Sequence, residues 1–300
     1  MLHRTIADTS IEVSRVGLGT NNFGRRIDRA ATERVIDAAL EAGINFLDTA
    51  DVYGDGDSER FIGECLAGRR ERVVLATKFG LRASGARDHV RSAVEASLAR
   101  LRTDRIDLYY YHRPDGVTPL AETLGALDEL VREGKVRAIA ASNLTPAQIE
   151  EGERLARELG TSRFVAIQND YSLLERGAEA EVLPLCERYD IGFVPYYPLA
   201  NGLLSGKYRR GEPPPAGSRL AQRPERLSDA AFDVVERVEP WAREHRRSLL
   251  ELAIAYVASQ PAVLSVIAGA STPEQVRANA AAGDWQLSAD ELAEVAALAS

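Results

Sequence analysis

Val16-Gly17-Leu18-Gly19-Thr20-Asn21-Asn22-Phe23-Gly24 reads as a short apolar strand running into a glycine-bearing loop, and its glycines decide between two ways of building an α/β chain. A dinucleotide fingerprint, G-x-G-x-x-G, needs its third glycine three residues after the second, where the following helix packs closely on the strand. That position is Asn22. The doubly wound reading fails on spacing, and the segment becomes the first strand of a different repeat.

Upstream, Leu2 to Thr5 and Ile11 to Val13, joined by a turn at Ala7 to Ser10, read as a β-hairpin. Downstream, short apolar runs follow at regular intervals: Asn45 to Asp48, Val73 to Thr77, Ile106 to Tyr111, Ala138 to Ala141, Phe164 to Gln168, Gly192 to Tyr196 and Val263 to Ile267. With Val16 to Gly19 they make eight strands. Amphipathic stretches separate them: Thr32 to Ala42, Ser58 to Leu66, Asp88 to Leu101, Pro119 to Arg132, Pro146 to Leu159, Ala178 to Tyr189, Leu249 to Ser259 and Pro273 to Ala282. Helix starts are marked at Thr145-Pro-Ala-Gln148, Thr272-Pro-Glu-Gln275 and Ser288-Ala-Asp-Glu291, where a capping hydroxyl precedes a Gln or Glu three residues on. Eight strand-helix units without a break in composition predict a closed parallel (β/α)8 barrel, one domain over residues 1–300, with extra helices at Asp229 to Arg243 and after Ser288. A Gly-, Pro- and Arg-rich insertion, Asn201 to about Ser228, follows the seventh strand and has the length of a loop that covers a site.

Composition narrows the function. The chain has 300 residues and a formal charge of −8, from 45 acidic against 37 basic side chains, with no basic domain interleaved with aromatics; a nucleic-acid partner is not expected. Cys65 and Cys186 are far apart and lie in apolar helical patterns, which gives neither a disulfide framework nor a metal spacing. No apolar run is long enough for a membrane span, and Met1 to Ser10 lacks the apolar core of a secretion signal, so a cytoplasmic enzyme with no membrane partner is expected. Nothing in the sequence sets an oligomeric state.

In a parallel barrel the chemistry sits at the carboxyl ends of the strands. Those ends read Asp48-Thr-Ala-Asp-Val-Tyr53, Thr77-Lys78 and Tyr111-His112-Arg-Pro-Asp115. Taken singly, each polar residue is more simply a turn, a cap or a solvated tip. Together they form a set suited to protonating an alkoxide: a phenol as proton donor, a cation to ease its ionisation, a carboxylate to hold that cation and an imidazole to hydrogen-bond the reacting oxygen. No metal site is expected, because Asp51, Asp55 and Asp57 miss the calcium-loop spacing and the four histidines are scattered.

Asn45-Phe-Leu-Asp-Thr-Ala-Asp-Val-Tyr-Gly54, Lys78 and His112-Arg-Pro-Asp115 resemble the aldo-keto reductase superfamily, and the likeness extends from the hairpin to about Asn279. The resemblance implies catalytic roles for Asp48, Tyr53, Lys78 and His112, a small carbonyl compound as substrate, and NADPH/NADP+ as cofactor, with NADH the alternative. It implies cofactor contacts at Gly19, Thr20, Asp48, Ser142, Asn143 and Gln168, ring stacking on Tyr196, and diphosphate contacts through Pro198, Leu199, Asn201, Gly202 and Lys207. Gly269, Ser271, Thr272, Gln275 and Asn279 fall where the family meets the adenosine and its 2′-phosphate. Two departures matter. Gly269 and Gln275 stand where other members carry lysine and arginine, leaving Ser271, Thr272 and Arg277 to meet a phosphate, and Asn21 replaces a tryptophan that lines the substrate pocket in many members, making Asn21, Tyr53 and His112 the expected substrate contacts. The competing readings are a cofactor-binding regulatory subunit, similar to the potassium-channel β-subunits, and an aldolase using Lys78 as a Schiff-base nucleophile; the latter leaves Tyr53, Ser142, Asn143 and Tyr196 without a shared purpose.

Overall fold

The computed structural model describes residues 1–81 and 83–300. Two short antiparallel strands, β1 (His3–Thr5) and β2 (Glu12–Ser14), form the opening hairpin. Eight parallel strands follow: β3 (Val16–Gly19), β4 (Phe46–Asp48), β5 (Val74–Phe79), β6 (Ile106–Tyr111), β7 (Val136–Ser142), β8 (Phe164–Gln168), β9 (Gly192–Phe193) and β10 (Val266–Gly269). From β3 to β9 each pairs with the next in sequence, and β10 returns to pair with β3. The seam between β9 and β10 is closed by isolated bridges, Phe193 to Val263 and Tyr196 to Ile267, with Ile267 N donating to Pro195 O at 3.0 Å. This is the expected (β/α)8 architecture with its N-terminal hairpin.

The strand-joining helices are α1 (Arg29–Glu41), α2 (Asp57–Cys65), α3 (Arg87–Leu101), α4 (Leu120–Arg132), α5 (Pro146–Leu159) and α6 (Val182–Arg188). After β9 come α7 (Asp229–Glu244) and α8 (Leu249–Ala258), and after β10 come α9 (Pro273–Ala282) and α10 (Ala289–Leu298). The capping boxes at Thr145 and Ser288 form as expected; at Thr272 the hydroxyl accepts from Gln275 N, but the Gln275 side chain turns to Ser271 N instead of closing the box. Two strands differ from the sequence expectation. The seventh is only two residues long because Pro195 has no N–H to offer a ladder, and the eighth begins at Val266, three residues later than its apolar run, with Val263 and Leu264 spent on the seam.

Side-chain parity sorts the barrel into two cores. Val74, Ala76, Leu108, Tyr110, Ala138, Ala140 and Ala166 point inward and share a cluster with hairpin residues Ile6, Ile11 and Val13, which plug the amino-terminal end. Leu75, Phe79, Tyr109, Tyr111, Ile139 and Ile167, offset by one position, face the helices. Inward space is tight: a Cβ on Gly19 would sit 2.9 Å from the Ile267 side chain. Continuing the inward parity by one step at the carboxyl ends brings Asp48, Lys78, His112, Ser142 and Gln168 to one rim.

Candidate active site

Asp48 ends β4 opposite Ala76 of the adjacent β5, and Lys78, two residues further along β5, forms a buried ion pair with it, Lys78 Nζ donating to Asp48 Oδ1; their side chains are 3% and 0% exposed. Lys78 Nζ also donates to Thr49 O at 2.8 Å, and Asp48 Oδ2 accepts from Gln168 Nε2 at 2.9 Å. Burial draws the Lys78 ammonium below its ordinary range while Asp48 opposes that shift.

Tyr53 comes from the turn after β4, followed by two glycines in left-handed conformation, Gly54 (φ 59°) and Gly56 (φ 91°). A side chain on Gly54 would meet Phe23 O at 2.8 Å, so the turn is locked against the loop after β3. The Tyr53 ring faces His112 edge-on at 6.1 Å between centroids, and Lys78 Nζ lies 5.3 Å from the centre of the Tyr53 ring. Lys78 was expected to lower the phenol pKa. Instead the Tyr53 hydroxyl is held well above the usual tyrosine value, first by burial and then by Asp48, Tyr197 and Asp51, with Arg219 opposing. The physical reason is burial, which disfavours the phenolate in a poorly solvating site, reinforced by the negative charge of Asp48.

His112, 7% exposed, is fixed by its backbone N donating to Phe79 O at 2.8 Å, and its Nδ1 has no partner among the described residues. Burial, aided by Lys78 and Arg113, lowers its pKa to about 3, so the imidazole is neutral at pH 7 and carries one N–H donor.

These groups open onto a cleft of about 660 Å³ at the carboxyl end of the barrel. Its walls include Gly19, Thr20, Asn21, Asp48, Tyr53, His112, Ser142, Asn143, Gln168 and Tyr196 at the barrel rim, and Pro198, Leu199, Asn201, Gly202, Lys207, Gly269, Ser271, Gln275 and Asn279 along one side. Lys78 lies behind Asp48, and Thr272 caps α9 without facing the cleft. Arg277 stands apart from the wall and pairs with Glu41 at 3.6 Å. Asn143 (φ 60°) bridges the rim, its Nδ2 donating to His112 O at 3.0 Å and its Oδ1 accepting from the Tyr196 hydroxyl at 2.8 Å. In the turn directly after β9, three residues other than glycine have positive φ, Tyr197 (57°), Ala200 (46°) and Asn201 (59°), beside Gly202 at 104°. Backbone strain concentrated in one turn along a cleft marks a segment shaped for something other than stability.

The insertion expected to cover a site does so. Gly217, Ser218, Arg219, Arg223 and Arg226 reach the cleft wall, and Arg219 NH2 donates to Asn21 Oδ1 at 3.0 Å and Asn22 Oδ1 at 2.9 Å. These arginines, with Arg25, Arg26, Arg113 and Tyr197, do not stand out in the sequence. The signal it does carry is a run of arginines with few acidic neighbours in a loop of unusual length.

The model of the Aldo/keto reductase family matches residues 15–300. Over 317 residues the chain is 37% identical to an Escherichia coli (strain K12) protein named NADH-specific methylglyoxal reductase, covering 94% of each. It is 34% identical to a probable voltage-gated potassium channel subunit beta of Oryza sativa subsp. japonica, covering 95% of this chain and 92% of that one. The structure of the aldo-keto reductase AKR11C1 from Bacillus halodurans, in its holo form, superposes with a TM-score of 0.84 at 34% identity, covering 100% of this chain and 97% of the other. Barrel, rim and comparisons agree, and the chain belongs to the aldo/keto reductase family of oxidoreductases.

Proposed function

We propose that this protein reduces aldehydes or ketones to alcohols with NADP(H), Tyr53 supplying the proton. The observation that carries the reading is the convergence of Tyr53, His112 and Asp48 on the wall of a single cleft, with Lys78 paired to Asp48 behind it. The cleft suits a dinucleotide in its donor chemistry. Ser142, Asn143 and Gln168 offer hydroxyl and amide groups to a carboxamide, the Tyr196 ring is braced by Asn143 and by an edge-on Tyr197 at 5.0 Å, and Asn201 Oδ1 is buried without a partner among the described residues. Lys207 and the strained turn at Ala200 to Gly202 suit a diphosphate, as do Ser271, Gln275 and Asn279 an adenosine phosphate.

A dihydronicotinamide, when bound, supplies the hydride. The protein's part is the oxygen and its proton. His112, neutral across the working range, donates an N–H to the carbonyl oxygen and orients it. Tyr53 holds its proton firmly, so the acid form is fully populated when an alkoxide develops and takes it. Lys78, bonded to Asp48 and Thr49 O, is placed to answer the phenolate that remains. Asp48 keeps Lys78 in place and takes Gln168 on its other oxygen.

NADP(H) is favoured because Lys207 stands on the described cleft wall with Ser271, Gln275 and Asn279, and Asp48, at the barrel rim, is the one acidic residue on that wall. Comparison of kcat/KM with NADPH and NADH tests this, and a preference for NADH would assign the cofactor as in the E. coli relative's name. Tyr53→Phe tests the chemistry: turnover of aldehydes should fall by about 10²–10⁴-fold while NADPH affinity, read by protein fluorescence, is kept. Normal turnover in that variant would refute the assignment. The relation to a channel subunit supplies the competing reading, cofactor binding with little turnover, and the wild-type assay decides between them.

A further inference from the structure

Where the loop after β3 faces the long insertion, a small hollow of about 50 Å³ opens beside the cleft. Four arginines line it, Arg25 and Arg26 from the first loop and Arg219 and Arg223 from the insertion. None of the four forms an ion pair among the described residues, although the chain carries 45 acidic side chains. Four like charges gathered without a counter-charge cost energy by mutual repulsion. Arg219 registers that cost, its pKa drawn down by burial and then by Arg26, Arg223 and Arg25.

The cluster is built on a common hub. Asn22 O accepts the backbone N–H of Arg25, Arg26 and Ile27 at 3.2, 2.8 and 3.2 Å, which fixes the first pair of arginines in a tight turn. Asn22 Oδ1 accepts from Arg219, and Asn22 Nδ2 donates to Ala270 O at 3.3 Å, tying the hub to the residue that follows β10. Arg219 lies over the Tyr197 ring, 5.9 Å from its centre, and the adjacent Leu220 is fully buried. Its Nε and NH1 make no hydrogen bond among the described residues, so three N–H donors remain for a ligand.

We propose that Arg25, Arg26 and Arg223, arrayed about Arg219, form a subsite for the carboxylate or phosphate group of an anionic carbonyl substrate. The hollow is the size of an oxyanion group, and guanidinium forks match oxyanion geometry. The hollow itself is lined by none of Lys207, Ser271, Gln275 or Asn279, the groups assigned to cofactor phosphates, although its arginines continue onto the cleft those groups share, and it opens at Asn21 on the substrate side. Arg219 also acts on the Tyr53 phenol, which sets the hollow within electrostatic reach of the reacting carbonyl.

The subsite rests on the carbonyl-reductase reading, and paired substrates separate the two. The full chain is assayed with 4-carboxybenzaldehyde against benzaldehyde, and with glyceraldehyde 3-phosphate against glyceraldehyde, which tells carboxylate from phosphate. At least one anionic member should be favoured by about tenfold or more in kcat/KM, with the preference shrinking between 0.05 and 0.5 M salt, since screening lengths fall to a few ångströms over about that range. Arg25→Gln/Arg26→Gln and Arg223→Gln should each cut the favoured anionic reaction about tenfold, leaving the neutral partner and the KM for NADPH within about twofold. Turnover of neutral and anionic aldehydes alike overturns the subsite and leaves the reductase reading standing. A rise in the KM for NADPH without loss of anion preference reassigns the arginines to the cofactor and also overturns it. If no aldehyde is reduced with either nucleotide, the reductase reading fails, and calorimetry with 4-(hydroxymethyl)benzoate against benzyl alcohol decides the subsite: charge-dependent binding lost in Arg25→Gln/Arg26→Gln supports it, and no binding overturns it.

Discussion

Replacing Lys78 by Met removes the cation from a pair whose side chains are 0% and 3% exposed, leaving the Asp48 carboxylate buried with Gln168 as its remaining side-chain donor and Thr49 O without its partner. Breaking one side of a buried pair costs roughly 3–5 kcal/mol, because an uncompensated charge must be protonated or tolerated in a poorly solvating site. Asp48→Asn strands the lysine in the same way and should cost a similar amount. The double variant, Asp48→Asn with Lys78→Met, strands neither charge and should cost about 2 kcal/mol or less, so the cycle should show a coupling of several kcal/mol. With an unfolding entropy of about 2.1 cal/mol/K per residue, roughly 0.6 kcal/mol/K for this length, each single variant should lose about 5–8 °C in Tm and the double about 3 °C or less. Differential scanning calorimetry with urea unfolding measures both quantities. Reductase activity should be lost by orders of magnitude in all three variants, stability recovering in the double while turnover does not. Additive losses, or single variants that cost under about 1 kcal/mol, would refute the description of this pair as one coupled buried unit.

His112 gives stability a pH dependence of known sign. Its pKa falls from 6.5 in the unfolded chain to about 3 in the fold, so between these values the unfolded chain binds the extra proton; the contribution is complete above 6.5 and is lost as pH falls towards 3. Asp51 and Asp170, raised to about 6 by burial, run the other way, stabilising below their ordinary 3.8 and losing that contribution as pH rises through 6. Urea unfolding at pH 7.5 and 4.5 should therefore show a pH-linked loss smaller by about 2–3 kcal/mol in His112→Asn than in wild type, and equal losses would contradict the buried neutral imidazole. A second network ties the carboxyl-terminal helix to the barrel: Glu179 Oε1 accepts the Tyr171 and Tyr256 hydroxyls, each at 2.8 Å, Oε2 accepts Arg176 NH2 at 2.8 Å, and Arg176 NH1 donates to Ala296 O at 2.6 Å. Glu179→Ala should destabilise by about 3–5 kcal/mol and Glu179→Gln by less, because two buried phenols keep an acceptor in the second. Hydrogen exchange should quicken first in α10, and a uniform change along the chain would count against the tether.

What can be read from the sequence follows from which contacts are local. Strand parity is local, so alternation alone sets the inward-facing ends of the apolar runs at Asp48, Lys78, His112, Ser142 and Gln168, and the barrel rim follows from it. Register at the seam is not local. Pro195 shortens β9, and the ladder resumes through Val263 and Ile267, about 70 residues later, so neither strand's span is set by its own hydrophobicity. Electrostatics departs further from the sequence reading for the same reason. Lys78 beside Tyr53 in the chain order of strands suggests a lowered phenol pKa, but the sign depends on where Asp48 spends its charge and on how deeply all three are buried. The arginine hollow is the least local feature of all: Arg219 reaches Asn21 and Asn22 across 198 and 197 residues, and each of its members alone resembles an ordinary solvated surface arginine. Only the fold brings them to one point without a counter-charge, and an uncompensated charge cluster has meaning only as a property of that point.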